Sequence, residues 1–182
     1  AYITPKRIVT KYAGCKNNLI KDEHYLLERG NGQSEMNRKK CCIMTSTETE
    51  KASLLLDFGS ELHGGLKLVA GSSSRREPSL VRIRFGESVG EANSTTSNSE
   101  WKVGFSTDDH AKRDIVMEIP RDGMIEIGNT GFRFVRLDLL QNNATISLKE
   151  ISAILRYRDI PYLGSFECND QRLNKIWITG AY

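Results

Sequence analysis

The sequence predicts an all-β fold, a jelly-roll-like antiparallel β-sandwich of two sheets with one short C-terminal helix. Three observations predict it. Between residues 52 and 157 the apolar side chains recur mostly at period two, the spacing of a strand with one dry face. The runs are short and broken by Gly, Ser, Asn and Asp clusters. Little in that span repeats at helical spacing, which argues against a parallel α/β fold, where strands are linked by crossover helices.

Taken in order, Ile8 and Val9 suit a short strand, and residues 18–29 suit a helical turn or two carrying Leu19, Ile20, His24 and Leu27, ended by Gly30. Lys39 and Lys40 ahead of Cys41-Cys42-Ile43-Met44 read as an edge strand with basic protection. Leu54, Leu56 and Phe58 alternate with Leu55 and Asp57, and a second strand starts at Leu66 and Leu68, after Gly64-Gly65. In Val81-Arg82-Ile83-Arg84-Phe85 the apolar residues face a core while both arginines stand in water. Ile115, Met117 and Ile119, the turn Asp122-Gly123, then Ile125 and Ile127 form a hairpin, with a further turn at residues 128–131. Phe132 to Leu139 slips phase between Phe134 and Val135, as a bulge requires. Asn142-Asn143 turns the chain into a last strand carrying Ile146, Leu148, Ile151, Ala153, Leu155 and Tyr157. Residues 71–77 and 90–107 read as polar loops, the longer one anchored by Trp101 and followed by Asp108, Asp109 and His110.

The charges of the 182 residues, 26 Lys+Arg against 23 Asp+Glu, are spread over the whole length. That gives no basic stripe, so nucleic acid is not an expected partner. No apolar run approaches the roughly 18–20 residues that cross a bilayer, so no membrane is expected either. The four cysteines, Cys15, Cys41, Cys42 and Cys168, lack the spacing of a zinc site or a disulfide scaffold. If Cys41 and Cys42 lie in a strand, they point to opposite faces, so at most one joins a core.

After Pro161 the pattern changes. Asn169 or Asp170 can cap a helix whose Leu173, Ile176, Trp177 and Gly180 share one stripe. No stop signal follows, and an isolated helix this short is marginal in water. Leu173, Ile176 and Trp177 are therefore expected to face another domain of a longer polypeptide; the alternative is a C-terminal helix that docks on the sandwich itself. This divides the chain into an N-terminal extension (1–51) that packs on the sandwich, the sandwich (52–160), and a linker with the first helix of a further domain (161–182).

Chemistry is sparse. His24, His63 and His110 are the only imidazoles, and none sits in a nucleophile signature, a zinc HExxH or a P-loop. Glycoside hydrolysis needs two carboxylates flanking one bond. Asp108 and Asp109 are adjacent and diverge on extended backbone; Glu61, Glu87 and Glu91 lie by Gly-rich turns and read as solvated. Asn93, Asn98, Asp108 and Asp109 offer calcium ligands without the DxDxDG spacing, so no metal and no cofactor is expected. No catalytic residue is assigned. For sugar binding, Trp101 with Asp108, Asp109 and His110 is the one aromatic-polar grouping near a single loop.

Four blocks in order are similar to one family. They are Leu55-Leu56-Asp57-Phe58-Gly59-Ser60-Glu61-Leu62-His63-Gly64-Gly65, Val81-Arg82-Ile83-Arg84-Phe85-Gly86-Glu87-Ser88, Gly128-Asn129-Thr130-Gly131-Phe132-Arg133-Phe134-Val135-Arg136 and Tyr162-Leu163-Gly164-Ser165-Phe166-Glu167-Cys168-Asn169-Asp170. Together they resemble bacterial α-L-rhamnosidase-like glycoside hydrolases over residues 52–182. The resemblance implies a β-sandwich preceding a catalytic (α/α)6 barrel, with residues 173–182 as the barrel's entrance helix. It implies that the parent hydrolyses α-L-rhamnosides by inversion, using carboxylates in the barrel that no position here matches. It further implies export to a periplasm or cell surface, where Cys168 could pair with another cysteine. The partners it implies are the barrel of the same polypeptide and, if the sandwich is a binding module, rhamnose-containing glycans. An independent protein-interaction domain is the remaining alternative.

Overall fold

The computed structural model describes residues 1–15, 18–34, 39–94, 113–161 and 163–181. Among these are nine antiparallel strands: β1 (Tyr2–Ile3), β2 (Arg7–Tyr12), β3 (Ile20–Lys21), β4 (Cys42–Ser46), β5 (Ser53–Ser73), β6 (Ser79–Gly86), β7 (Asp114–Ile119), β8 (Met124–Leu139) and β9 (Ala144–Leu155). Two α-helices, α1 (Val89–Asn93) and α2 (Gln171–Ala181), accompany them. Hydrogen bonding follows the order β3-β4-β9-β5-β8-β6-β7, with β1 on β9 and β2 on β5. The all-β sandwich expected from the alternation is therefore present.

Two long strands serve both layers. The first part of β5 pairs with β2 and with the end of β8, and β6 and β7 extend that layer. From Leu62 onward β5 pairs with the start of β8 and with β9, and β9 carries β4 and β1. The register shifts between Asp57 and Leu62 and again between Gly64 and Leu66, where the strand bends from one layer to the other. Sequence alone suggested two strands here, and a turn at residues 128–131. Both bends instead run through continuous strands, because glycines sit where backbones nearly touch. A β-carbon on Gly64 would lie 1.7 Å from the Ile154 carbonyl oxygen, and Gly128 takes φ +89° beside the Phe85 ring.

Between the layers lies one apolar core. β5 contributes Leu54, Leu56, Phe58, Leu66 and Leu68, β6 Val81, Ile83 and Phe85, β8 Phe132, Val135 and Leu137, and β9 Ile146, Leu148, Ile151 and Ala153. Phe132 meets Phe58 and Phe85 edge-on, with centroids 5.8 and 4.9 Å apart. Each such side chain contributes about 1.5–3 kcal/mol by leaving water. The phase slip after Phe134 has a structural cause. Phe134 belongs to a small outer cluster with Leu55, Ala92 and Val9, whereas Val135 is in the main core. β9 changes phase in the same way, through a register shift beside Lys149 that returns Ile151 and Ala153 to the side of Ile146 and Leu148.

Residues 1–51 supply β1 to β4 and bury Ala13, Leu19, Ile20, Leu26, Cys42 and Met44 in the shared core. The helix expected over residues 18–29 is replaced by β3 and a 3-10 turn, Glu23–Leu27. Asp22 takes a left-handed backbone (φ 58°), which interrupts a helix, while pairing with β4 satisfies the backbone of Ile20 and Lys21. β4 is not an edge, since it bonds to β9 on one side and β3 on the other. Both Cys41 and Cys42 are buried. β4 begins at Cys42, so the alternation that would send its neighbour to water does not govern Cys41. Burial pushes the Cys42 thiol far up, leaving it protonated and unreactive.

The outer face of the first layer departs from the expectation of solvated arginines. Arg84 is buried because α1, capped by the Ser88 hydroxyl accepting from Glu91 N at 3.1 Å, folds residues 89–94 across it. The start of the segment read as a loop is thus helical. Arg84 donates to Asp138 at 2.7 Å and to the carbonyls of Asn93 and Ser94 at 3.1 and 3.0 Å. Arg82 instead pairs with Asp114 across β6 and β7. At the β5 bend, Asp57 accepts from Arg7, twice from Arg133 and from Gly59 N.

Candidate functional site

Among the described residues, two surfaces bear on the sequence-based expectations. The first lies where the layers cross. A β-carbon on Gly131 would sit 3.7 Å from one Glu61 carboxylate oxygen and 4.0 Å from one of Glu87, so the two acids flank this strand position. Arg113 donates to Glu87 at 2.9 Å and to Glu91 at 2.5 Å, and Glu91 also accepts from Glu87 N. Both carboxylates thus share one guanidinium, which ties α1 to the strand that follows it. His63 is exposed on β5, opposite Gly131. Among the described residues no group of three His, Cys, Asp or Glu is placed to hold a metal ion. Among the described residues the cluster joins α1, Arg113 and the crossing of β5 with β8 at one end of the sandwich.

The second surface is the C-terminal segment. Asp170 caps α2 by accepting from Arg172 N at 2.8 Å, and Asn174 reaches back to bond both the N–H and the carbonyl of Cys168 at 2.9 Å. The helix is well started, yet no residue of it is buried. Ile176 is 60% exposed, Ile178 62% and Trp177 37%, with Leu173 also open. Before the helix, Tyr157, Ile160, Leu163 and Phe166 are exposed as well. Single exposed apolar residues need no explanation, but eight within 22 positions, Tyr157 to Ile178, are more than scattered exposure supplies. The core of the sandwich closes without any of them.

Of the residues singled out from sequence, Leu173, Ile176 and Trp177 lie on this open helix. Trp101, Asp108, Asp109 and His110 fall outside the described residues. Sequence reasoning missed Ile160, Leu163 and Phe166. With Tyr157 they fall three residues apart, in a segment broken by Pro161 and Gly164 where neither the strand nor the helix pattern picks them out, so their signal was only that apolar residues continue after the last strand ends.

No family model matches the sequence, and neither does any curated protein. Solved structures do match in fold. A GH78 family rhamnosidase of Bacillus sp. GL1 aligns over 76% of this chain at 18% identity with TM-score 0.52, and a Klebsiella oxytoca rhamnosidase with rhamnose bound over 72% at 17% with TM-score 0.55. The C-terminal domain of a chitobiase from Bacteroides fragilis aligns over 86% of this chain and 98% of its own, at 11% identity and TM-score 0.50. The chain spans only 13% and 26% of the two rhamnosidases. The rhamnosidase-like sandwich implied by the four sequence blocks is thus found at the level of fold.

Proposed function

We propose that this chain is the non-catalytic β-sandwich of an α-L-rhamnosidase-like glycoside hydrolase, and that α2 with the apolar residues before it seats a catalytic (α/α)6 barrel of the same polypeptide. The observation that carries the reading is the capped helix with no buried residue beside a sandwich whose core is already closed. The fold shared with parts of two rhamnosidases and the four resembling blocks support it. In this reading the chain contributes no acid, base or nucleophile. It holds the barrel's entrance helix and shapes the rim of the active site, and the polypeptide acts outside the cytoplasm.

A carbohydrate-binding module is the second reading, favoured by the match to almost the whole of an isolated chitobiase domain. Trp101, Asp108, Asp109 and His110 would then meet a rhamnose-containing glycan.

The test assays release of nitrophenol from p-nitrophenyl α-L-rhamnoside by the polypeptide the gene encodes, by residues 1–182 alone, and by the polypeptide carrying Ile176→Ser with Trp177→Ser. The expected result is activity in the first, none in the second and at least a severalfold loss in the third, with the sandwich's own melting unchanged because both side chains are exposed. Hydrolysis by residues 1–182, or a gene that encodes no further domain, would sink the reading.

A further inference from the structure

A third feature lies apart from both surfaces. Tyr25, Glu28, Arg29, Lys39, Lys40 and Lys149 line a pocket of about 300 Å³, with Gly30 and Asn31 completing its wall. That volume lies at the lower end of the range of small-ligand sites and matches one sugar ring with a substituent. Among the described residues, four of the lining side chains are cationic and one, Glu28, is acidic, in a chain whose overall balance is only +3.

The arrangement is built rather than incidental. Lys149 Nζ donates to the Lys39 carbonyl at 2.6 Å, which ties β9 to the opposite wall. Lys40 takes a left-handed backbone (φ 48°), disfavoured for a residue with a β-carbon, and this turn sets it on the rim. Neither Arg29 nor Lys40 has an acidic partner within ion-pair reach among the described residues. The Asn31 side-chain Oδ1 accepts from Gln33 N at 3.0 Å, which fixes its amide on the wall. Cations gathered around one concavity repel each other, and a bound anion relieves that repulsion. The partly buried ring of Tyr25 adds an apolar wall against which a sugar ring can lie.

We propose that this pocket binds a small ligand of monosaccharide size through an oxyanion, whether carboxylate, sulfate or phosphate. The inference is independent of the rhamnosidase reading. The test is an NMR titration of the chain with glucuronate, glucose 6-sulfate, glucose 6-phosphate and neutral glucose, following the amides of Tyr25, Gly30 and Lys149 at 50 and 500 mM salt. At least one anionic sugar is expected to saturate at millimolar concentration, to weaken at the higher salt, and to outbind glucose about tenfold or more. Comparing the three anions identifies the preferred group. Arg29→Gln with Lys40→Gln should weaken binding about fivefold or more, with melting unchanged because both side chains are exposed. Equal binding of glucose, no saturation by any anion, or a double variant that binds as the parent does would overturn the proposal.

Discussion

Gly64→Ala is expected to cost about 3 kcal/mol or more and to lower the melting temperature by roughly 6–12 °C, at the top of the range for overpacking a filled site. A methyl there meets the Ile154 carbonyl oxygen at 1.7 Å and its carbon at 2.9 Å, and both belong to backbone that cannot rotate away. Gly64 pairs with Thr130 of β8 and Leu155 of β9 at the point where β5 leaves one layer for the other, so relief requires the crossing itself to open. Gly164→Ala is the control: nothing lies within 4 Å of its β-carbon position, and the expected change is within about 0.5 kcal/mol. Thermal unfolding of the two variants decides the matter, and similar melting temperatures would mean that the crossing does not depend on that glycine.

Asp138→Ala should cost about 3–5 kcal/mol, the usual penalty for leaving a buried charge without its partner. Arg84 and Arg136 face each other across β6 and β8, a like-charge pair that Asp138 bridges at 2.7 and 2.9 Å. Without the carboxylate, Arg84 keeps, among the described residues, the two carbonyls at the end of α1, and its Nε has no partner among them. Replacing both members, Arg84→Met with Asp138→Leu, should recover most of the loss, because the cost lies in the stranded charge rather than in the missing contact. Burial pushes the Asp138 carboxyl up, but hydrogen bonds from Ser53, Arg136 and Arg84 outweigh it and hold it below the usual range. Asp57 is held well below that range, chiefly by hydrogen bonds from Arg133. A folded-state value below the unfolded one adds stability that is full above about pH 4 and is lost as pH falls through the folded value. Urea denaturation between pH 7 and pH 2 should therefore show a steep acid loss that Asp138→Asn flattens. An unchanged acid profile would contradict the assignment.

Strand identities were legible wherever one face is dry, as at Val81, Ile83 and Phe85, because period two follows directly from burial on one side. Continuity was not. At Gly59 to Gly65 and Gly128 to Gly131 the same glycines that signal a turn permit a bend within a strand, and only pairing to a third strand distinguishes them. Arg84 looked solvated because alternation describes one sheet in water and says nothing of a helical turn folded over its outer face. The open helix was legible from its stripe, whereas the basic pocket was not. Its residues come from the turn at Tyr25, the segment before β4 and the middle of β9, and only the pairing of β4 with β9 brings them together.

Amide hydrogen exchange across residues 171–181 tests the central claim most directly, measured in the isolated chain and in the polypeptide that its gene encodes, with the proposed catalytic barrel. A helix seated on that barrel should exchange freely in the first and be protected about a hundredfold or more in the second, with the β5 and β8 amides alike in both. Equal exchange in the two would mean that the apolar face of α2 meets no such partner.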